Sequence, residues 1–571
     1  MNVNLYSFKF VLSVVLLAKA LAPDTAQAQQ LGIANSNYAG TNSLYTNPSA
    51  IADSRHGFYL NLFSAEAGVT NNYLSYDAPF SLYKAFKEEL EITEEYLKED
   101  LNGKPKFVTA GVDFKGPSFM LRLSPKHSVA FTSRVRGSFQ ATNLSENFAQ
   151  LVNLYRESGD DFEGYKSEYE DLANQMAEDN TFNFNADVYS ELGLSYARVL
   201  YEKENHFLKA GLTVKRLAGG YSAHLINENA KFKLEERPEA GTDNEEYVLA
   251  IDNIKMKYGY LDEDVYWDLE NMETSDIMKM LAGRNSAGRG WGTDLGFTYE
   301  FRPEPEQYRS MMDGKEVVDQ EKNKYKFRVA VALMDVGGIT YDNPRYVNAF
   351  EADKSDKEVR LSDFEGNEDG EDIDEGDVER YADILYESLG ITDADKKTSF
   401  RSGLPTTLNV NVDYKIAPHI YANATVIHNL RREGTIGMRQ SSLLALTPRF
   451  EFKKFEAAFP VALQNGYSVL TMGAMVRFMN FFVGSDNIGG AFNLGNPYGA
   501  NVYMGVSLLP ILKRNKKDKD KDGVSNAKDN CKKVPGTWEL MGCPPSVPAT
   551  GTTTSLAPDS TGTAPASQQK Q

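Results

Sequence analysis

Four shortages bound what this chain of 571 residues can be. Past the extreme N-terminus no uninterrupted apolar run approaches the roughly 20 residues that a membrane-crossing helix needs. Cationic excess is missing too: the formal charge is −19, which argues against nucleic acid, a partner that wants clustered Lys and Arg. The six histidines (His56, His127, His206, His224, His419 and His428) are scattered with no pair at metal-ligand spacing. With no Gly-x-Ser-x-Gly elbow and no phosphate loop either, an enzyme is not indicated. Gly220-Tyr221-Ser222-Ala223-His224 hints at a barrel lipase, but a strand leaving the membrane explains it better. Cysteine is limited to two residues near the C-terminus and none lies by the export site, so a lipoprotein is not indicated.

Alternation is what the chain has instead. From Gly290 to Pro303, Thr293, Leu295, Phe297, Tyr299 and Phe301 share one side of an extended segment, and Asp294, Gly296, Thr298, Glu300 and Arg302 share the other. In a soluble sandwich the greasy face looks inward; in a transmembrane barrel it faces lipid while the polar face lines a wet lumen. Two arginines, Arg134 and Arg136, on the polar side of Ser128 to Gln140 fit a lumen and would be wasteful in a dry core. Similar segments recur at Asp187 to Leu200, Phe207 to Leu225, Tyr325 to Val336, Thr406 to Lys415, Ile420 to Leu430, Leu443 to Lys453 and Asn501 to Leu509. With weaker candidates they total about 14 strands, an even number as bacterial barrels have. The fold class expected is therefore all-β, a transmembrane antiparallel barrel spanning residues 55–512.

Connections alternate between short (Pro125 to His127, Glu202 to Asn205, Ala417 to His419) and long (Thr142 to Thr181, Asn227 to Arg289, Gly337 to Gly403). Short turns belong to the periplasmic side and long loops to the outside. The linker Glu304 to Asn323 breaks this rule, being long where a short turn belongs. Helical spacing of apolar residues appears at Phe80 to Leu101, Asn147 to Glu178, Val265 to Leu281 and Val378 to Leu389. An acidic run from Ser362 to Glu379 reads as a solvated loop, with divalent-cation binding the next alternative.

Residues 1–28 have the form of an export signal: Lys9, an apolar centre from Phe10 to Leu17, and the small-x-small site Ala26-Gln27-Ala28. Residues 29–54 follow, holding the turn-forming Asn47-Pro48-Ser49. This segment looks like the short N-terminal plug of long-chain fatty-acid-transporter-like barrels, where Asn-Pro-Ala holds the corresponding place; Ser49 is a departure. Gly211 to Gly220, Thr293 to Arg302, Leu333 to Gly338, Leu404 to Leu408 and Phe482 to Asn487, in that order, resemble an uncharacterised domain family of Gram-negative outer-membrane barrels. That family is distantly similar to the fatty-acid-transporter-like barrels and to barrel components of type nine secretion. The resemblance implies residence in the outer membrane with a periplasmic C-terminus.

Residues 513–545 form a separate module. Asp518 to Asp529 has calcium-loop spacing: carboxylates from Asp518, Asp520 and Asp522, the carbonyl of Val524, a direct or water-mediated contact from Asn526, closure by Asp529, and glycine at the sixth position. An Asp rather than Glu at the last position implies modest affinity. Cys531 and Cys543 in an exported chain point to a disulfide, worth about 3 kcal/mol for so short a loop; a zinc pair or two free thiols are the alternatives. Calcium loop plus paired cysteines looks like a thrombospondin type 3 repeat. Residues 546–571, dominated by Ser, Thr, Pro and Ala, read as a disordered tail.

Two roles follow from different classes. One is passage or binding of a small hydrophobic solute, to which the plug-like N-terminus and abundant aromatics point first. The other is a structural or assembly component of the outer membrane, with a calcium-stiffened stalk engaging a periplasmic protein partner. An open lumen or lateral gap below Asn47-Pro48 would mark passage, and a filled lumen with a stalk contact would mark scaffolding.

Overall fold

The computed structural model describes residues 30–88, 90, 93–158, 163–176, 180–238, 245–262, 286–320, 322–361, 363, 378–492, 497–512 and 517–545. The export signal, the C-terminal tail, Val265 to Leu281 and nearly all of the acidic run lie outside them. The chain divides into two compact units, one holding residues up to Gln307 together with Gln320–Lys513, the other Tyr308–Asp319 together with Arg514–Gln571.

The first unit is a closed antiparallel barrel of 14 strands. In chain order they are β1 (His56–Asn71), β2 (Lys106–Lys115 continued by Ser118–Arg122), β3 (His127–Leu144), β4 (Asn183–Lys203) and β5 (His206–Pro238). Next come β6 (Gly288–Phe301), β7 (Phe327–Tyr341), β8 (Phe400–Gly403 continued by Thr407–Ala417), β9 (Ile420–Asn429) and β10 (Leu443–Glu451). The last four are β11 (Phe455–Ala458 and Val461–Gln464), β12 (Val469–Met472 and Ala474–Phe478), β13 (Phe481–Ser485) and β14 (Gly499–Leu512). Each pairs with its neighbour, and β14 returns to β1 with Leu60 opposite Leu508 and Val69 opposite Ala500.

The period-two pattern decides which way each side chain points. On β6, Asp294, Thr298, Glu300 and Arg302 are buried, whereas Leu295 and Phe297 are 42% and 44% exposed. Leu212 and Val214 on β5, Val331 and Leu333 on β7, Leu444 and Leu446 on β10, and Val502 and Met504 on β14 are exposed likewise. Charge lies inside and hydrocarbon outside, the inverse of a soluble core and the arrangement of a barrel wall in lipid. Tyr414, Phe452, Phe455, Phe478 and Phe481 add exposed aromatic rings near the short-turn face, where barrels place an interfacial girdle.

On the long-loop face β5 does not stop at the barrel rim. Its 33 residues exceed the 9–11 that a tilted transmembrane strand needs, and its second half pairs with Glu245–Leu261, which pairs with Val347–Arg360. Much of what reads as loop in Asn227 to Arg289 and Gly337 to Gly403 is thus a projecting sheet. The alternation continues there, with Phe232, Leu234, Ile251 and Ile254 buried in an apolar cluster with Tyr169 and Leu172. Helices Glu146–Ser158, Lys166–Gln175 and Val378–Leu389 fall within the expected insertions. Within Phe80 to Leu101 the described residues are α-helical over Leu82–Glu88, make a 3-10 turn at Glu94–Tyr96 and end in the short strand Leu97–Glu99, paired with Leu74–Tyr76.

Replacing the outward Phe297 with Arg sets a charge against hydrocarbon midway along β6. Urea titration of the barrel refolded into lipid vesicles should show a loss of about 2–4 kcal/mol, with little change for Phe297→Leu.

Candidate functional site

The lumen is the first candidate, and residues 30–53 run through it. Their backbone makes one helical turn at Leu31–Ala34 and two 3-10 turns at Gly40–Tyr45 and Pro48–Ile51. Proline suits the start of the last turn because its missing N–H would have no partner there, and Asn47 caps it by accepting from the Ser49 N–H at 2.8 Å. This turn presses on the wall where the wall has no side chains: a Cβ at Gly211 of β5 would collide with the Pro48 backbone, and one at Gly296 of β6 with the Asn47 amide. Asn47 Nδ2 donates to the Phe297 carbonyl at 3.1 Å. Ser49 Oγ donates to Asn47 Oδ1 at 2.7 Å and lies 2.6 Å from Thr298 Oγ1. The departure from Asn-Pro-Ala therefore adds two contacts that an alanine could not make.

Ion pairs fill much of the remaining lumen. Arg134 holds Asp113 through two bonds of 2.7 and 2.6 Å, and Arg136 bridges Glu191 at 3.2 Å and Asp335 at 3.0 Å. Lys215 pairs with Asp294 at 2.9 Å and also contacts Asp335. Asp335 occupies an irregular step in the β6–β7 register with φ of 55°, and its N–H is taken by Asp294 Oδ1 at 2.7 Å. A second group joins Arg449 to both oxygens of Asp413 at 2.9 Å and to Glu451 at 2.8 Å. In a third, Asp53 receives Arg302 at 2.9 Å and Lys324 at 2.6 Å.

The plug completes these groups. Asn37 donates to Glu451 at 2.8 Å, Ser36 to Glu456 at 2.8 Å, the Leu31 N–H to Asp486 at 3.0 Å, and Lys209 to the Ala52 carbonyl at 2.9 Å. The Tyr45 ring lies 4.8 Å from both Lys115 and Arg134. Of the two alternatives, an open or a filled lumen, the structure has the crowded one: wall charges pair across the lumen, with Asp53, or with neutral polar groups of the plug. A cavity of about 90 Å³ is left between plug and wall, bordered by Ser43, Asn47, Asp53, Arg302, Lys324 and Arg328, a polar lining.

Among the described residues the histidines do not gather into a metal-binding group. His127, His206 and His428 each meet a tyrosine hydroxyl at 2.7 to 3.0 Å on the barrel's outside, and His56 and His224 are buried against Tyr59 and Phe400. Ser222 bonds Asp187 at 2.9 Å rather than His224.

In the second unit the carboxylates of Asp518, Asp520 and Asp522 converge, with one oxygen of each within 4.8 Å of the others. Asp518 accepts from the N–H groups of Lys521 and Gly523, and Asp522 from those of Val524 and Gly536. Both oxygens of Asp520 and Oδ2 of Asp529 are buried with no hydrogen-bond partner, although Asp529 is 3% exposed. Val524 is fully buried; Asn526 uses its side-chain oxygen to accept from the Lys519 N–H. Cys531 and Cys543 are disulfide-bonded. This unit also contains the hairpin Arg309–Met312 and Lys315–Val318 from the over-long β6–β7 linker, a partnership that no local sequence pattern announces.

Compared with known proteins, the chain matches the family of unknown function DUF5723 over residues 48–486. It belongs to that family. The matched stretch runs from Pro48 in the plug to Asp486, just past the end of β13. No curated protein matches. Among solved structures, the DUF5723 barrel is similar to a TodX deltaS2S3 mutant, a monoaromatic hydrocarbon channel, at 11% identity and a TM-score of 0.31, covering 83% of this chain and 95% of that one. The Ralstonia pickettii toluene transporter TbuX matches at 8% identity and 0.31, covering 82% and 92%. A Pseudomonas aeruginosa FadL homologue matches at 10% and 0.27, covering 86% and 99%. The barrel assignment rests on its own strand pairing.

Gly296→Leu should unseat the plug turn while leaving the outer wall intact. Limited proteolysis of the folded barrel should then cut within residues 30–53, and planar-bilayer conductance should rise well above that of the parent chain.

Proposed function

We propose that this DUF5723 protein is a non-catalytic outer-membrane barrel that is closed at rest by its own N-terminal segment and carries a calcium-binding repeat on the periplasmic side. The outer membrane is supported by the apolar outer wall, the aromatic rings near the short turns and the signal-like start of the chain. Short turns mark the periplasmic face, and both His56, where β1 begins, and Leu512, where β14 ends, lie at it. The observation that carries the structural role is the filled lumen: residues 30–53 contact the wall from Gly211 and Gly296 to Glu451, Glu456 and Asp486. In this reading the barrel is an anchor, and the repeat is what it presents to a periplasmic partner.

Calcium suits the repeat because the oxygens left without partners, on Asp520 and Asp529, are hard anionic donors beside Asp518 and Asp522. Asp518, Asp520, Asp522 and Asp529, the Val524 carbonyl and Asn526 would hold the ion. Bound there, it would neutralise the converging carboxylates and stiffen residues 518–529.

One observation favours the second role. Besides its polar contacts and glycine notches the plug packs on the wall through small apolar clusters around Leu31, Ile33, Leu44 and Ile51, and a cavity lies at its edge. A plug that swings aside would make the barrel a gated passage for a small hydrophobic solute. Mass spectrometry of mildly extracted protein decides between the roles: bound lipid that disappears when Asn47 to Ala50 are deleted supports passage, and absence of any retained lipid supports the anchor. For the repeat, Asp520→Ala with Asp522→Ala should lower its melting temperature in calcium to the value measured in chelator. An unchanged melt would count against the metal.

A further inference from the structure

The hairpin Arg309–Val318 occupies the one connection on the short-turn face that is far longer than a turn requires, and the reason lies in the second unit. Its tip residue Asp313 is 5% exposed. Asp313 Oδ1 accepts the Ser525 N–H at 2.8 Å, Oδ2 accepts the Ser525 hydroxyl at 3.0 Å, and the Asp313 N–H donates to the Gly523 carbonyl at 2.8 Å. Lys528 Nζ stands 3.8 Å from the same carboxylate. Gly314 follows with φ of 73°, and a Cβ there would strike the Trp538 indole. Trp538 in turn lies 5.0 Å from Lys528.

Gly523 and Ser525 are the sixth and eighth positions of the acidic loop, and they bracket Val524, whose carbonyl is the seventh-position donor. Three hydrogen bonds from one residue, outside the loop and about 200 positions earlier in sequence, thus hold the backbone on both sides of that carbonyl. Asp313 is not one of the converging carboxylates Asp518, Asp520 and Asp522; its two oxygens are bonded to Ser525.

We infer that the β6–β7 hairpin is a clasp for the C-terminal repeat and that Asp313 positions the cation loop, so that calcium binding and hairpin docking are linked. The inference rests on the calcium reading above. Linkage is reciprocal: a hairpin that binds the ordered loop better than the empty one raises the loop's calcium affinity by the factor by which calcium tightens the hairpin. The repeat, which follows β14 in the chain, is then tied more tightly to the β6–β7 hairpin when calcium is bound than when it is not.

The test uses the full chain in detergent micelles, with calcium uptake followed by titration calorimetry and amide hydrogen exchange followed at residues 309–318. Calcium should slow exchange in 309–318 in the parent chain and have no effect there in Asp520→Asn with Asp522→Asn. Asp313→Ala should weaken calcium binding roughly 10-fold or more, as loss of an outer partner does at other metal sites. The gentler Ser525→Ala, which removes only the hydroxyl bond, should weaken it less, and both should keep the barrel's resistance to unfolding. Calcium uptake of parental affinity in Asp313→Ala, or exchange at 309–318 indifferent to calcium in a parent chain that binds it, would overturn the clasp and leave the calcium reading standing. No uptake by the parent chain would remove both.

Discussion

A closed ring of 14 strands encloses more width than inward side chains can span, since about eight strands is where the interior is just filled. Inward positions that alternate with a lipid-facing wall are polar or charged, and a charge in a confined space needs a partner at hydrogen-bonding distance. Most of this barrel's interior follows from that requirement. Wall residues pair across the lumen, as Arg136 does with Asp335, and where the wall cannot reach, residues 30–53 supply the missing groups. The plug is therefore a continuation of the wall's own bonding, and the glycines at 211 and 296 are the places where the two backbones come closest. Removing one member of such a group leaves the other charge stranded, which typically costs about 3–5 kcal/mol. That cost makes the interior cooperative.

The barrel was legible because its signal is strictly local. Two-residue alternation in Thr293 to Arg302 needs no knowledge of distant contacts, and the buried and exposed residues of β6 fall as that alternation requires. Two of the four helical insertions, Asn147 to Glu178 and Val378 to Leu389, were legible for the same reason, the latter to the residue. The projecting sheet was less so: β5 past Leu225 alternates as well, but it falls in the long connection from Asn227 to Arg289 that reads as loop, and its apolar face meets loop helices rather than lipid. Asn47, Pro48 and Ser49 were recognisable by resemblance, while their seats at Gly211 and Gly296 were not, because nothing in a glycine declares which of many strands it will leave open. The turn of Asp335 into the lumen depends on a register step between two strands, a property of the pair that neither strand carries alone.

The C-terminal module divides in the same way. Acidic spacing and paired cysteines are written in one stretch from Asp518 to Cys543, so the convergence of the three carboxylates and, as the first of three alternatives, the disulfide could be read there. The hairpin that joins the same unit is encoded some 200 residues earlier, and the sequence showed only that a turn there was too long. The exception to the alternation of loop lengths coincides with this contact, but nothing local to the linker announces a contact or its partner.

The pairing of β14 with β1 has a consequence for how such a molecule comes to exist. The plug precedes the first stave in the chain, yet the wall that surrounds it includes the last. Whether that segment seats before the seam closes or enters through an open end of the cylinder, its full set of partners exists only once the last stave has met the first, so the stopper and the closure of its own vessel are completed together.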